Sequence, residues 1–222
     1  MRKGDLIWLA AFGAVATFLL LPATHELFVA FTATHAYISG FIKFLILASM
    51  GELLALRIVT GTWSLPDGMI YRSLIWGILG MAVVLVFNVY AAGVKGAMAS
   101  GILPGGESTF LFAFFVSTIM NMTYGPAMMI FHRFTDTFID LKHEQKDKKI
   151  TLNDIVERID WNGFFSFVIC KTLPMFWIPA HTLTFLLPPV YRVIAAAFLS
   201  IALGAILAFA KKNKKTIVPN RA

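Results

Sequence analysis

The chain has 222 residues, of which 58% are hydrophobic and 14% charged, with a mean hydropathy of +0.76. A soluble domain of this length carries about a quarter charged residues, so one globular core cannot hide this much apolar surface and lipid must be its solvent. The net charge of +7 does not point to nucleic acid, because the basic residues stand at the ends of apolar runs, a placement that sets membrane orientation.

In chain order, apolar segments occupy about 6–22, 36–57, 72–94, 109–132, 163–187 and 190–210. Each is roughly 17–25 residues long, enough for a helix to cross ~30 Å of hydrocarbon. They are continuous runs without period-two alternation, so they are helices and not barrel strands. The expected fold is all-α: a polytopic integral membrane bundle of about six transmembrane helices, forming one domain over 1–222. Met1-Arg2-Lys3 before the first run imitates a signal peptide, but Pro22-Ala23-Thr24-His25-Glu26 offers no small-x-small cleavage site. The first span is therefore expected to stay uncleaved. No Arg/Ser-rich transit segment precedes it, which favours the cytoplasmic (inner) membrane of a bacterial cell over an imported organelle protein.

Between the spans, 23–35 reads as an outer stretch with His25, Glu26 and His35 but no Lys or Arg. The small-residue stretch 95–108 reads as an outer loop, with a re-entrant segment as the alternative. The hydrophilic connection 133–162 first continues the fourth span to about Leu141. Thr151-Leu152-Asn153-Asp154 then forms a capping-box pattern that opens a short amphipathic helix with Leu152, Ile155, Val156 and Ile159 on one face. Asp154, Glu157 and Asp160 outnumber Arg158 on the other face, so this helix is not built to attract anionic lipid.

Orientation follows from Lys and Arg. With the N-terminus inside, the inner face receives Arg2, Lys3, Arg57, Arg72, Arg133, Lys142, Lys146, Lys148, Lys149, Arg158, Lys211, Lys212, Lys214, Lys215 and Arg221, or 15 of 19. The outer face receives Lys95 and Arg192, and Lys43 and Lys171 fall within spans. This asymmetry predicts both termini in the cytoplasm. Trp8, Trp63, Trp76 and Trp161 also fall near the inner boundary, where indole prefers to sit.

No catalytic, cofactor or metal signature is present: no Gly-rich phosphate loop, His-Glu-x-x-His, Cys-x-x-Cys or nucleophile elbow. The one cysteine, Cys170, excludes an intramolecular disulfide and reads as an inert packed thiol. The informative residues are those that are expensive in hydrocarbon, where a charge costs about 2.5–3.5 kcal/mol on the lenient scales. Glu52 and Lys171 lie at depths of ~7 and ~12 Å from the inner side and could pair if spans two and five touch, either as a structural ion pair or along a hydrated path. Lys43 is placed to snorkel outwards. Asn121 and His181 add polar groups inside spans four and five. Pro126 predicts a kink in span four, and Pro174 and Pro179 a break in the outer half of span five.

Gly125-Pro126, followed by Phe131-His132-Arg133-Phe134-Thr135-Asp136-Thr137-Phe138-Ile139, resembles a central motif of the peroxisomal membrane protein (Mpv/PMP) family. Asp160-Trp161-Asn162-Gly163-Phe164 is similar to that family's Asp-Gln segment. Trp177-Ile178-Pro179-Ala180-His181-Thr182-Leu183-Thr184-Phe185, closing with Pro188-Pro189-Val190-Tyr191-Arg192, resembles its Trp-Pro-x-x-Gln-x-x-Asn-Phe…Val-Pro…Arg signature. The resemblance covers 120–210, with an echo at Gly51-Glu52. His132 stands where the family has Tyr, Trp161 and His181 where it has Gln, Thr184 where it has Asn, and Pro179 is displaced by one position. The resemblance marks a distant bacterial member and implies a helical membrane pore or permeability protein. Gly125, Pro126, Asp136, Gly163, Trp177, Pro179 and Arg192 carry the family-like motif.

Together these features predict a channel or permease-like protein for small solutes or ions, with Glu52, Asn121, Lys171 and His181 lining the path and no resident cofactor. The expected partners are the bilayer and a small solute or ion, with homo-oligomerisation left open and nucleic acid excluded. The alternatives are a structural or accessory protein that binds a partner through 133–162, and a membrane-embedded enzyme.

Overall fold

The computed structural model describes the backbone of residues 2–217 and the side chains of residues 2–209, and no strand occurs among them. Lys211, Lys212, Lys214, Lys215 and Arg221 of the inner cationic set therefore lie outside the described side chains. The helices are α1 (Lys3–Leu20), α2 (Pro22–Thr34), α3 (Ala36–Thr60), α4 (Met69–Ala99), α5 (Thr109–Glu144), α6 (Leu152–Arg158), α7 (Trp161–Leu186) and α8 (Pro189–Ile217).

Among the described residues, five helices are long and apolar enough to cross a membrane: α1, α4, α5, α7 and the Pro189–Phe209 part of α8. Their outward faces expose Ile78, Leu85, Val89, Phe110, Phe114, Phe165 and Leu183, a surface that lipid solvates and water does not. The chain is a multi-pass α-helical membrane protein. Although 36–57 reads as a span, α3 is not among the five. It is packed between α4 and α8 and buries Ser39, Lys43 and Ser49 together with Phe44, Leu47 and Met50. Its buried side carries polar groups that its exposed side, with Ile38, Ile42 and Ile46, does not.

Helices α3, α4, α5, α7 and α8 pack in that order into a ring, with α8 returning to α3. Backbone contact draws α3 to its neighbours. A Cβ on Gly40 would meet the Gly80 carbonyl oxygen of α4 at 2.8 Å, and one on Gly51 would meet Cα of Ile201 in α8 at 3.0 Å. Small residues permit such close approach where no hydrophobic force operates between helices in lipid.

Helix α1 lies outside the ring and buries no residue. It is held at one end by Asp5, which accepts from Arg57 Nε at 2.9 Å and Trp63 Nε1 at 2.7 Å, and further along by Trp8 Nε1 donating to the Met50 carbonyl at 3.0 Å. The expected outer stretch 23–35 is helical instead. Pro22 has the φ that suits a first helical residue and forces Leu21 into an extended conformation (φ −70°, ψ 127°), so α1 ends and α2 begins there.

One further expectation is narrowed and another corrected. The 95–108 stretch is helix to Ala99, then a turn, with no re-entrant helix. Span five is not broken between Pro174 and Pro179. Residues Phe164–Trp177 wind as a π-helix that passes into α-helix at Ile178. A wider turn tolerates Pro174, whose missing N–H leaves a gap in any helical ladder. The Ile178 N–H reaches the Leu173 carbonyl, and Thr172 Oγ1 donates to Phe167 O at 3.1 Å, both five residues back. Helix α5 runs unbroken through Pro126 to Glu144. Helix α6 has its predicted capping box: Asp154 N–H donates to Thr151 Oγ1, and Thr151 N–H to Asp154 Oδ2.

Candidate functional site: a polar core inside the five-helix ring

A cavity of about 50 Å³ lies inside the ring and touches all five helices, through Phe44, Phe87, Asn121, His181 and Ala196 among others. One water needs roughly 10–15 Å³, so the space suits a few waters. Its walls are mainly apolar, and its polar groups come chiefly from α5 and α7, with Trp76 of α4 and Ser200 of α8. Asn121, 3% exposed, donates from Nδ2 to the Ser117 carbonyl at 2.8 Å and lies 3.0 Å from His181 Nδ1. Ser117 Oγ in turn donates to the Ile178 carbonyl at 2.7 Å, which ties α5 to the start of the α-helical part of α7. The His181 ring stacks on Trp177 at 4.9 Å and meets Phe87 edge-on at 5.5 Å. The Trp177 indole N–H also belongs to this cavity wall and is buried without a hydrogen-bond partner. A buried donor left unpaired is uncommon and costs stability. Gly125 completes the wall, where a Cβ would press on Leu173 at 3.1 Å.

Trp76 lines the cavity on its other side and leads to a charged cluster at one end of the ring. Its Nε1 donates to Glu52 Oε2 at 3.4 Å, and its ring packs on His132 at 4.2 Å. Arg72, 7% exposed, is the centre of this cluster. Its guanidinium lies 3.6 Å from Glu52 and 3.1 Å from Asp136, and it also pairs with Asp140. Its Nε donates to the Asp67 carbonyl at 3.1 Å, and His132 Nδ1 stands 3.3 Å from Asp136. One buried cation thus joins α3, α4 and α5. Burying these charges together is tolerable because the guanidinium offers several donors in a fixed fork.

At the opposite end, a wider hollow of about 840 Å³ is lined by Asn88, Lys95, Glu107, Thr109, Phe112 and Arg192. Arg192 sits over Phe185 at 5.3 Å and donates from Nε to the Leu187 carbonyl. Phe185, 1% exposed, packs on Phe87 at 4.8 Å. Phe87 lines the inner cavity, and Arg192, which sits over Phe185, lines the hollow.

Asn121 and His181 are thus brought into direct contact, and Glu52 joins the same cavity through Trp76. Lys171 does not. It is exposed and forms no salt bridge among the described residues, so the depth match with Glu52 does not become a pair. Within the motif, Asp136 belongs to the Arg72 cluster, Trp177 and Gly125 to the cavity wall, and Arg192 to the far hollow. Pro126 is half-buried in α5 and Pro179 is exposed. Gly163 ends a turn in which its N–H donates to Asp160 Oδ1 at 2.9 Å. The sequence reasoning missed Arg72, counted there only as a boundary cation. The signal was present: His132, Asp136 and Asp140 recur every four residues and so share one face of a helix. No group of three or more His, Cys, Asp or Glu side chains among the described residues is arranged to hold a metal ion. Comparison with protein-family models, characterised proteins and solved structures gives no match for this chain.

Proposed function

We propose that the protein is a channel or permease-like conductor of small solutes or ions, with its path along the axis of the five-helix ring. The observation that carries this reading is the Asn121–His181 pair. It is a buried polar contact on a cavity touched by every ring helix, flanked at both ends by charged residues. In this reading the conformation is closed. Phe87 and Phe185 form an apolar constriction on the Arg192 side, of the kind that gates by excluding water, and Arg72 locks the other side. The positive-inside asymmetry supports six spans, with α3 counted, both termini in the cytoplasm, and residence in a bacterial inner membrane. The motif residues near the path, Gly125, Asp136, Trp177 and Arg192, support distant membership of the Mpv/PMP family.

The test is flux. Purified protein in liposomes is expected to pass small ions or polar solutes, with flux reduced in Glu52→Ala and Asn121→Leu. Vesicles that stay tight under every gradient remove the reading. A second reading has one observation in its favour: Leu152 and Val156 are exposed one turn apart on α6, a surface suited to a partner protein. Stoichiometric co-purification that is lost on Leu152→Ser/Val156→Ser replacement, together with tight vesicles, would favour that accessory role.

A further inference from the structure

Lys43 was expected to snorkel, and it does not. The residue is 7% exposed. Its ammonium donates to Thr32 Oγ1 at 2.9 Å and lies 4.5 Å from the centre of the Phe28 ring. Thr32 is in turn 3.0 Å from Ser39 Oγ. No carboxylate pairs with Lys43 among the described residues. An ammonium has three donors, and one is satisfied by a side chain. A buried cation without an anion is among the least favourable arrangements in a membrane protein.

The same lysine lines a cavity of about 520 Å³ between α1, α2 and α3, outside the ring. Phe28 and Leu47 are its buried walls. Phe18, Leu27, Ile42 and Ile46 line it too and are themselves exposed, so the cavity opens through an apolar surface of the kind that lipid covers. Its volume falls within the ~300–1,000 Å³ of small-molecule sites. The walls are hydrocarbon, and the polar residues lining them are Lys43 and Ser39, with Thr32 behind them bonded to both.

We propose that this cavity binds a long-chain fatty carboxylate, with its carboxylate on Lys43 and its chain between α1 and α3. Charge and size select this occupant. One cation matches one negative charge, and the free donors of the ammonium match the two oxygens of a carboxylate. Lys43 lies seven residues into α3, about 10 Å along the helix from its start at Ala36. A slim carboxylate can be drawn to that depth, whereas a phospholipid would have to bring its glycerol and second chain with it. The site is separate from the proposed conduit and stands whether or not the protein conducts.

The experiment uses the full chain in a non-ionic detergent with a diazirine-bearing hexadecanoic acid as photolabel. Labelling is expected within residues 14–47, competed by palmitic acid and not by hexadecanol, its neutral analogue. Lys43→Met is expected to lower labelling about tenfold or more, since a charge-assisted contact is lost. Ala14→Trp, which fills the cavity and leaves Lys43 in place, is expected to do the same and carries the test if the lysine variant fails to fold. Equal competition by hexadecanol, or full labelling of either folded variant, overturns the proposal. Displacement by phosphatidylglycerol but not by palmitic acid also overturns it, and assigns the site to a phospholipid headgroup.

Discussion

Removing the Arg72 side chain is the most discriminating perturbation of the polar core. In Arg72→Gln, Glu52 and Asp136 lose their shared cation, at 3.6 and 3.1 Å, in a site where the guanidinium is almost fully enclosed. Breaking a buried pair from one side costs about 3–5 kcal/mol because the surviving charge stays buried and uncompensated. Asp140, the third partner, is 51% exposed and water can solvate it, so the lower end of about 3 kcal/mol applies. At roughly 2–4 °C per kcal/mol for a chain of this size, the midpoint should fall by about 6–12 °C. The assay is a thermal melt of purified protein in detergent, followed by loss of the monodisperse size-exclusion peak. Asp136→Asn in the same background should recover part of the loss, because it removes one orphaned charge; the two changes are in contact and must not add. A fall of under about 2 °C, or simple additivity, would refute the claim that Arg72 is the hub joining α3, α4 and α5.

Three further outcomes follow from other parts of the structure. Gly80→Leu places a Cβ against the Gly40 carbonyl oxygen of α3, a backbone atom that cannot rotate away; overpacking of this kind costs about 1–3 kcal/mol, and an unchanged melt would mean that the α3–α4 crossing is looser than described. Phe185→Val, which trims one ring of the Phe87–Phe185 pair, should raise liposome flux above wild type, whereas flux lowered together with folding yield would count against a gate at that level. Lys148, with Thr151, holds the Asp154 carboxyl well below the usual carboxylate range. A depressed folded value stabilises the α6 cap above the unfolded pKa of about 3.9, and that contribution fades as pH falls below about 5. Hydrogen exchange over Leu152–Arg158, corrected for intrinsic rates, should therefore speed up in acid, and Asp154→Asn should show the fast exchange already at pH 7.

What was legible in the sequence divides by the range of the interaction. The capping box of α6 was legible because Thr151 and Asp154 need only each other. The apolar runs were legible because hydrocarbon thickness fixes helix length. Asn121 and His181 stood out because each is costly in an apolar run, but their contact depends on how α5 and α7 are rotated, which no local pattern reports. The Glu52–Lys171 match shows the limit most clearly. Depth is one coordinate, and a pair also needs the two side chains to face each other. Glu52 turns towards α4, while Lys171 lies on the exposed side of a π-helix. That π-helix was itself invisible, since prolines at 174 and 179 fit a broken helix as well as a widened one. Arg72 was hidden for another reason: the orientation rule already accounted for a cation at that boundary, so nothing prompted a search for its partners.

Helix α4 connects the two ends of the proposed conduit. Arg72, Trp76, Val83 and Phe87 follow at intervals of four, seven and four residues, so they form one stripe facing the ring interior. The stripe begins at the charged cluster, passes the Asn121–His181 cavity, and ends at the aromatic constriction. At Gly80, between Trp76 and Val83, the backbone of α4 touches that of α3. On the conducting reading this close approach, flanked by the Val84 and Phe44 side chains, is the pivot about which α4 would turn against α3. Rotation there would move Arg72 off Glu52 and Phe87 off Phe185 in one motion, so in the proposed conductor the lock and the constriction would open together. Gly80→Ala, a milder change than leucine, should hinder that rotation and lower flux, with the loss exceeding any fall in folded protein. If flux and folded fraction instead decline in proportion, the pivot has no role in opening and the two ends act separately.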